Sequence, residues 1–207
     1  MFLAFDRETQ GPVAIKFLRR QPTEEPRDVG RFRREFRAVS RLSHPGCLKV
    51  FAEGMQGDQR YIVMEYAPGG DLSRLAGADA GLLLYLLAQL AGALDYVHGH
   101  GIVHRDLKPQ NVLLVDEGGL LPKLADFGIA KILGEQSGSV SETSGLLGTV
   151  DYMSPEQVKG QPADPRSDLY AFGCLIFKLW AGRPPFLGST FERLSARLRE
   201  GAPALRT

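Results

Sequence analysis

His104-Arg105-Asp106-Leu107-Lys108-Pro109-Gln110-Asn111 sets an imidazole, a guanidinium, a carboxylate, an amine and a carboxamide within eight positions. Apolar sequence flanks it, with a run ending near Val103 on one side and Val112-Leu113-Leu114-Val115 on the other. A polar loop held between two buried elements can aim several side chains at one point. Asp106 suits the acceptance of a proton, Lys108 the balancing of anionic charge, and Asn111 the offer of an amide oxygen to a hard cation. A turn with merely solvated charges fits the same eight residues, so the rest of the chain has to decide.

Downstream, Val112-Val115 and Leu121-Leu124 read as a hairpin around Asp116-Glu117-Gly118-Gly119, and Ala125-Asp126-Phe127-Gly128 follows its second strand. One hairpin therefore brings Asp106, Asn111 and Asp126 toward the same edge. Upstream, Leu82 to His98 reads as a long apolar helix leading into the loop, and Asp71 to Leu75 as a short capped one. Pro68-Gly69-Gly70 marks a hinge before them.

The first 66 residues read as a small antiparallel sheet with one helix. Strands are expected at Phe2-Phe5, Val13-Leu18, Leu48-Ala52 and Tyr61-Tyr66, with turn-rich sequence from Glu53 to Asp58. The helix runs from Val29 to Leu42, its apolar positions Phe32, Phe36, Val39 and Leu42 recurring at spacings of four, three and three. Lys16 shares a strand face with Ala14, and Glu35 borders the apolar helix face, where it can point toward Lys16 rather than water. The arginines at 31, 33, 34, 37 and 41 lack an aromatic platform, so a solvated helix face is the reading for them. Beyond the hairpin, residues 134–148 are rich in Gly and hydroxyl side chains. Asp168 to Ala181 is apolar almost all round, as a buried helix is, and Thr190 to Arg199 is amphipathic.

Composition narrows the class. With 207 residues, 43% hydrophobic and 24% charged, the chain is an ordinary globular one. A net charge of +1 gives no electrostatic case for nucleic acid as partner. Cys47 and Cys174 have neither CxxC nor Cys/His spacing, which argues against a disulfide framework or zinc and fits a reducing cytoplasm. The run from Leu82 to Val97 falls short of the ~20 residues that span a bilayer and reads as a core helix.

Taken in order, these pieces resemble the eukaryotic-type Ser/Thr protein kinase family, over nearly the whole chain. Val13-Ala14-Ile15-Lys16 is similar to its strand lysine motif and Glu35 to its helix glutamate. His104 to Asn111 resembles the catalytic loop, Asp126-Phe127-Gly128 the magnesium motif, and Ser154-Pro155-Glu156 the usual Ala-Pro-Glu. Lys108 and Thr149 resemble the serine/threonine rather than the tyrosine class. The wording of Arg33-Arg34-Glu35, Tyr61 to Tyr66 and Gly182 to Phe186 resembles the bacterial branch.

The resemblance implies an α+β, two-lobe protein-kinase-like fold, with an N-lobe over residues 1–67 and a mainly helical C-lobe over 68–207, and transfer of the ATP γ-phosphoryl to protein hydroxyls. It assigns Lys16 to the α/β-phosphates and Glu35 to orienting Lys16. Asp106 would accept or orient the hydroxyl proton, Lys108 neutralise the transferred phosphoryl, and Asn111 and Asp126 hold Mg2+. At the adenine end it implies Ala14 and Leu113 about the ring, Met64 behind it, the backbone of Glu65 to Ala67 bonding the purine, and Asp71 near the ribose. Arg105 beside Asp106 implies activation by a phosphate on Ser141 or Thr143, with Thr149 structural or substrate-positioning. Partners implied are Ser/Thr protein substrates and a second copy for autophosphorylation in trans, with no nucleic acid and no membrane segment.

The family's Gly-rich loop should precede Phe2 and its last helices should follow residue 207. The chain is therefore expected to be a kinase domain truncated at both ends, weakly stable, with Glu156 lacking an arginine partner. Two functions stay open: an active Ser/Thr kinase, and a non-catalytic kinase-like binding module.

Overall fold

The computed structural model describes residues 1–18, 26–116, 121–128, 150–201 and 203–204. Strands β1 (Phe2–Asp6), β2 (Gly11–Phe17), β3 (Val50–Gln56) and β4 (Gln59–Glu65) form one antiparallel sheet in the order β1-β2-β4-β3. The register pairs Ala14 with Met64 and Lys16 with Ile62. Directly opposed residues share a face, so Lys16 stands on the inward side with three apolar neighbours.

Helix α1 (Pro26–Ser40) crosses this sheet. Phe32, Phe36 and Val39 bury one stripe of it, with Leu42 just beyond its end, and Glu35 lies at the stripe's edge, half-buried. Strand β3 runs to Gln56, past the expected end at Ala52. Its polar half is held by charge, since Glu53 meets Arg33 at 3.5 Å and Arg60 at 3.6 Å. Arg60 in turn lies over the Phe32 ring.

The remaining residues are mainly helical. Helix α2 (Ala80–Gly99) is capped by Asp79, which accepts from Gly81 and Leu82 N–H. At 20 residues it is long and apolar enough to cross a membrane, yet Leu83, Leu86, Leu87, Leu90, Ala93, Leu94 and Val97 are buried in the core. The short strands β5 (Val112–Leu114) and β6 (Pro122–Leu124) make the expected hairpin. After them come α3 (Pro155–Val158), α4 (Pro165–Ala181) and α5 (Thr190–Arg199). Helix α5 has the predicted bounds, because Ser189 and Glu192 cap each other's backbone at its start.

A single apolar cluster runs from Ala14 and Met64 of the sheet through α2 to Leu175 and Leu179 of α4. The loop before β3 is stitched to β6, as Leu48 N–H donates to Leu124 O at 2.9 Å and Leu124 N–H to Gly46 O at 2.8 Å. The hinge is equally tight. Gly69 N–H donates to Leu114 O at 2.9 Å, and a Cβ on Gly69 would lie 2.6 Å from that oxygen and 2.7 Å from Leu114 Cβ. Gly69→Ala is therefore expected to cost about 1–3 kcal/mol, as overpacking does. A urea titration reads this as a lower midpoint; an unchanged midpoint would show that the hinge yields.

Candidate active site

The loop that opened the sequence reading is anchored by a residue far from it. Asp168, in the first turn of α4 and 1% exposed, accepts from His104 N–H at 2.7 Å, Arg105 N–H at 2.9 Å and His98 Nε2 at 2.8 Å. His104 is fully buried, donates from Nε2 to Ala125 O at 2.9 Å and packs on the Phe127 ring at 4.9 Å. Burial holds its imidazole below the usual range, although Asp168 and Asp106 pull it back up. A neutral ring with its proton on Nε2 leaves Nδ1 to accept from Asp106 N–H at 3.4 Å. His104 thus ties the loop to the segment carrying Asp126. Neither it nor Asp168 figured among the sequence candidates, although an aspartate inside an otherwise apolar helix was a readable signal.

Three side chains converge on Asp106. Asn111 Nδ2 donates to its Oδ2 at 2.9 Å and to its backbone carbonyl at 2.7 Å, and Lys108 Nζ stands 3.1 Å from Oδ2. On the facing side, Lys16 Nζ meets Asp126 Oδ2 at 2.5 Å. Arg105 and Asp126 adopt positive φ, 64° and 56°. Non-glycine residues sit there at a cost that surrounding structure has to hold.

Glu35 does not meet Lys16 in this conformation, contrary to the expectation. Arg105 Nη1 reaches both its carboxylate oxygens at 3.0 Å, and Arg31 Nε lies 3.8 Å away. Each charge has found a partner, but Lys16 has taken the aspartate and Arg105 the glutamate. The charge pattern alone could not choose between the two cations.

The residues present fit a magnesium ion. Asn111 and Asp126 line one cleft, and with Asn111 bonding through Nδ2 and Asp126 through Oδ2, one oxygen of each has no hydrogen bond among the described residues. Mg2+ takes few protein oxygens and completes its shell with water and phosphate, which matches so sparse a donor set.

The same cleft is lined by Lys16, Asp106, Lys108 and Met64, and extends behind Met64 to Val39, Leu48, Ile62 and Phe127. Ala14, Glu65, Ala67, Asp71 and Leu113 lie outside that lining. Ala14 is register partner of Met64, and Leu113 bridges Asp71. The Asp71 carboxylate caps the following turn through Ser73 N–H at 2.9 Å, which engages the oxygen closest to that turn. Glu65 turns its carboxylate to Lys123 at 2.7 Å, while the N–H of Ala67 is without a partner among the described residues. Ser141, Thr143 and Thr149 lie outside the described residues.

A second, smaller cleft abuts the loop, lined by Arg105, Asp106, Leu107, Tyr152, Met153, Gln157, Ser167, Asp168 and Ala171. Asp106 is the residue common to both clefts. Gln157 Nε2 donates to Arg105 O at 3.1 Å, closing this side. Glu156, expected to want an arginine, accepts instead from the Ser167 hydroxyl. Burial raises its pKa, but hydrogen bonds from Ser167, its own N–H and Ser154 outweigh this and hold the carboxyl below the usual range. Glu156 is only half-buried, which is why a hydroxyl suffices.

Comparison with known proteins agrees with this arrangement. Residues 1–202 match the protein kinase domain family. The serine/threonine-protein kinase PknB of Mycolicibacterium smegmatis is 37% identical over 196 residues, 91% of this chain and 31% of that protein. A probable serine/threonine-protein kinase of Streptomyces coelicolor is 39% identical over 92% of this chain and 29% of its own length. The probable kinase PknB of Lactococcus lactis is 38% identical over 93% of this chain and 31% of its own. The chain thus spans about a third or less of the length of these curated relatives. Matched over nearly all its residues, and carrying lysine, aspartate and asparagine side chains gathered in one cleft, the chain belongs to the protein kinase domain family.

Proposed function

We propose that the chain is a serine/threonine protein kinase domain that uses ATP and Mg2+ to phosphorylate protein hydroxyls. The observation that carries this reading is Asp106, standing where two clefts meet. A phosphoryl donor among Lys16, Asn111 and Asp126 and a hydroxyl entering from beside Tyr152 and Met153 would approach the carboxylate from opposite sides. In-line transfer needs that arrangement. Asp106 takes the hydroxyl proton, and Lys108, 3.1 Å from it, neutralises charge on the moving group. Bound Mg2+, held by Asn111 and Asp126, would offset phosphate charge. The backbone of Glu65 to Ala67 receives the purine, supported by the unpartnered Ala67 N–H. Ala14, Met64 and Leu113 enclose the ring, and Asp71 serves the ribose. Two buried free cysteines, Cys47 and Cys174, support a cytoplasmic setting. Incubation with γ-labelled ATP, Mg2+ and a generic protein substrate, followed by phosphoamino-acid analysis, tests the reading. Labelled phosphoserine and phosphothreonine are expected, whereas nucleotide binding without any labelling would favour the binding-module alternative.

The Glu35 contact gives this site a switch. While Arg105 holds Glu35, Lys16 is left to Asp126 and the lysine that should greet phosphate is engaged on the metal ligand. A phosphate on Ser141 or Thr143 would compete for Arg105 with more charge than one carboxylate and release Glu35 to Lys16. A second copy is the natural source of that phosphate. Phosphatase treatment is therefore expected to slow the unaltered chain and to leave Arg105→Ala at one constant rate. A variant that responds as the parent does would contradict the exchange.

A further inference from the structure

The acceptor side of Asp106 is framed by the segment Val150 to Met153. Val150 and Tyr152 are buried, 0% and 7% exposed, and fix its path. Asp151, between them, is turned away toward α5, where Arg193 Nη1 meets its Oδ1 at 2.5 Å. Both side chains are largely covered, at 18% exposed for Asp151 and 13% for Arg193.

One turn along α5, Arg197 is 4% exposed and lies over the Phe186 ring at 5.2 Å. Its Nη1 donates to Arg193 O at 2.8 Å, while its Nε and Nη2 and the Nε of Arg193 have no partner. Two guanidiniums thus face one carboxylate. Apolar side chains would pack α5 here at least as well, because burying a charge pair costs desolvation that its attraction scarcely repays. What the pair supplies and an apolar contact does not is control of the sign of charge beneath the acceptor segment.

Resting on the kinase reading above, we propose that Arg193 and Asp151 form a specificity-determining pair: Arg193 withdraws and neutralises the Asp151 carboxylate, so that the acceptor segment does not select basic residues next to the phosphorylated hydroxyl. Arg193 is a positioning residue, acting through Asp151. Loss of either partner exposes the other, and the two losses have opposite signs. A bare Asp151 attracts Lys and Arg in the peptide, and a bare Arg193 attracts Asp and Glu.

The test is a positional-scanning peptide library around a fixed Ser/Thr acceptor, phosphorylated by the 207-residue chain and two variants. Preferences are ratios within one library, so a general loss of activity cancels. Arg193→Leu is expected to gain roughly fivefold preference for Lys and Arg at one position near the acceptor, and Asp151→Asn a similar preference for Asp and Glu there, the scale of partly exposed ion pairs. The reversed pair, Asp151→Arg with Arg193→Asp, is expected to return the profile to that of the parent. A purely structural role moves neither preference, and unchanged profiles, or shifts of the same sign in both variants, would overturn the proposal. Should Arg193→Leu fail to fold, the sign obtained with Asp151→Asn decides alone, since the amide keeps the shape of the carboxylate. A parent chain that labels no peptide would overturn the kinase reading, and this inference with it.

Discussion

Asp106→Asn is expected to lower phosphoryl transfer about 10²–10⁴-fold, the range of a positioned acid or base. The substitution is nearly isosteric and keeps an oxygen for the 2.9 Å bond from Asn111 and for Lys108 Nζ at 3.1 Å. What it removes is the ability to take a proton and one negative charge at the point where the two clefts meet. The measurement is kcat at saturating ATP, with a thermal melt to establish that the fold is kept. A loss of less than tenfold with an intact melt would mean that Asp106 only shapes the loop.

Asp168→Ala is expected to act on stability first. It strips buried acceptors from two backbone N–H groups and from His98 together. Each unsatisfied buried donor costs about 1–3 kcal/mol, and breaking a buried charged contact about 3–5 kcal/mol. Against a whole-domain stability of about 5–15 kcal/mol, a loss of roughly 3–5 kcal/mol would leave the chain partly unfolded at ordinary temperature. Urea unfolding followed by circular dichroism reads this directly. A shift below about 1 kcal/mol would show that water replaces the carboxylate, as it does at accessible sites. Because Asp168 also fixes Arg105 and His104, activity should fall further than the folded fraction alone explains.

Much of the site was legible because phosphoryl transfer asks for particular residue types in a particular order. Lys16, Asp106, Lys108, Asn111 and Asp126 could be named from sequence, and all five line one cleft. Local chemistry carried several elements equally well, as with Ser189 and Glu192 at the start of α5 and Asp71 at the turn from Leu72 to Leu75. Partner choice was not legible. Glu35 had two cations within reach, one 19 positions before it and one 70 after it in the chain, and side-chain geometry gave it Arg105. Strand β3 was read too short because Glu53 to Gln56 resemble a turn by composition. Arg33 and Arg60, brought in by other elements, allow Glu53 to stand in a strand. Asp168 was missed because its three donors come from segments more than 60 residues upstream.

The most direct measurement is the fate of the γ-phosphoryl group. Purified chain, ATP and Mg2+ are mixed with a protein substrate, and phosphate esters are located by mass spectrometry, with Asp106→Asn in parallel. Esters on Ser and Thr in the parent reaction, absent from the variant, are the predicted result. Bound ATP with no ester formed in either reaction would contradict the account.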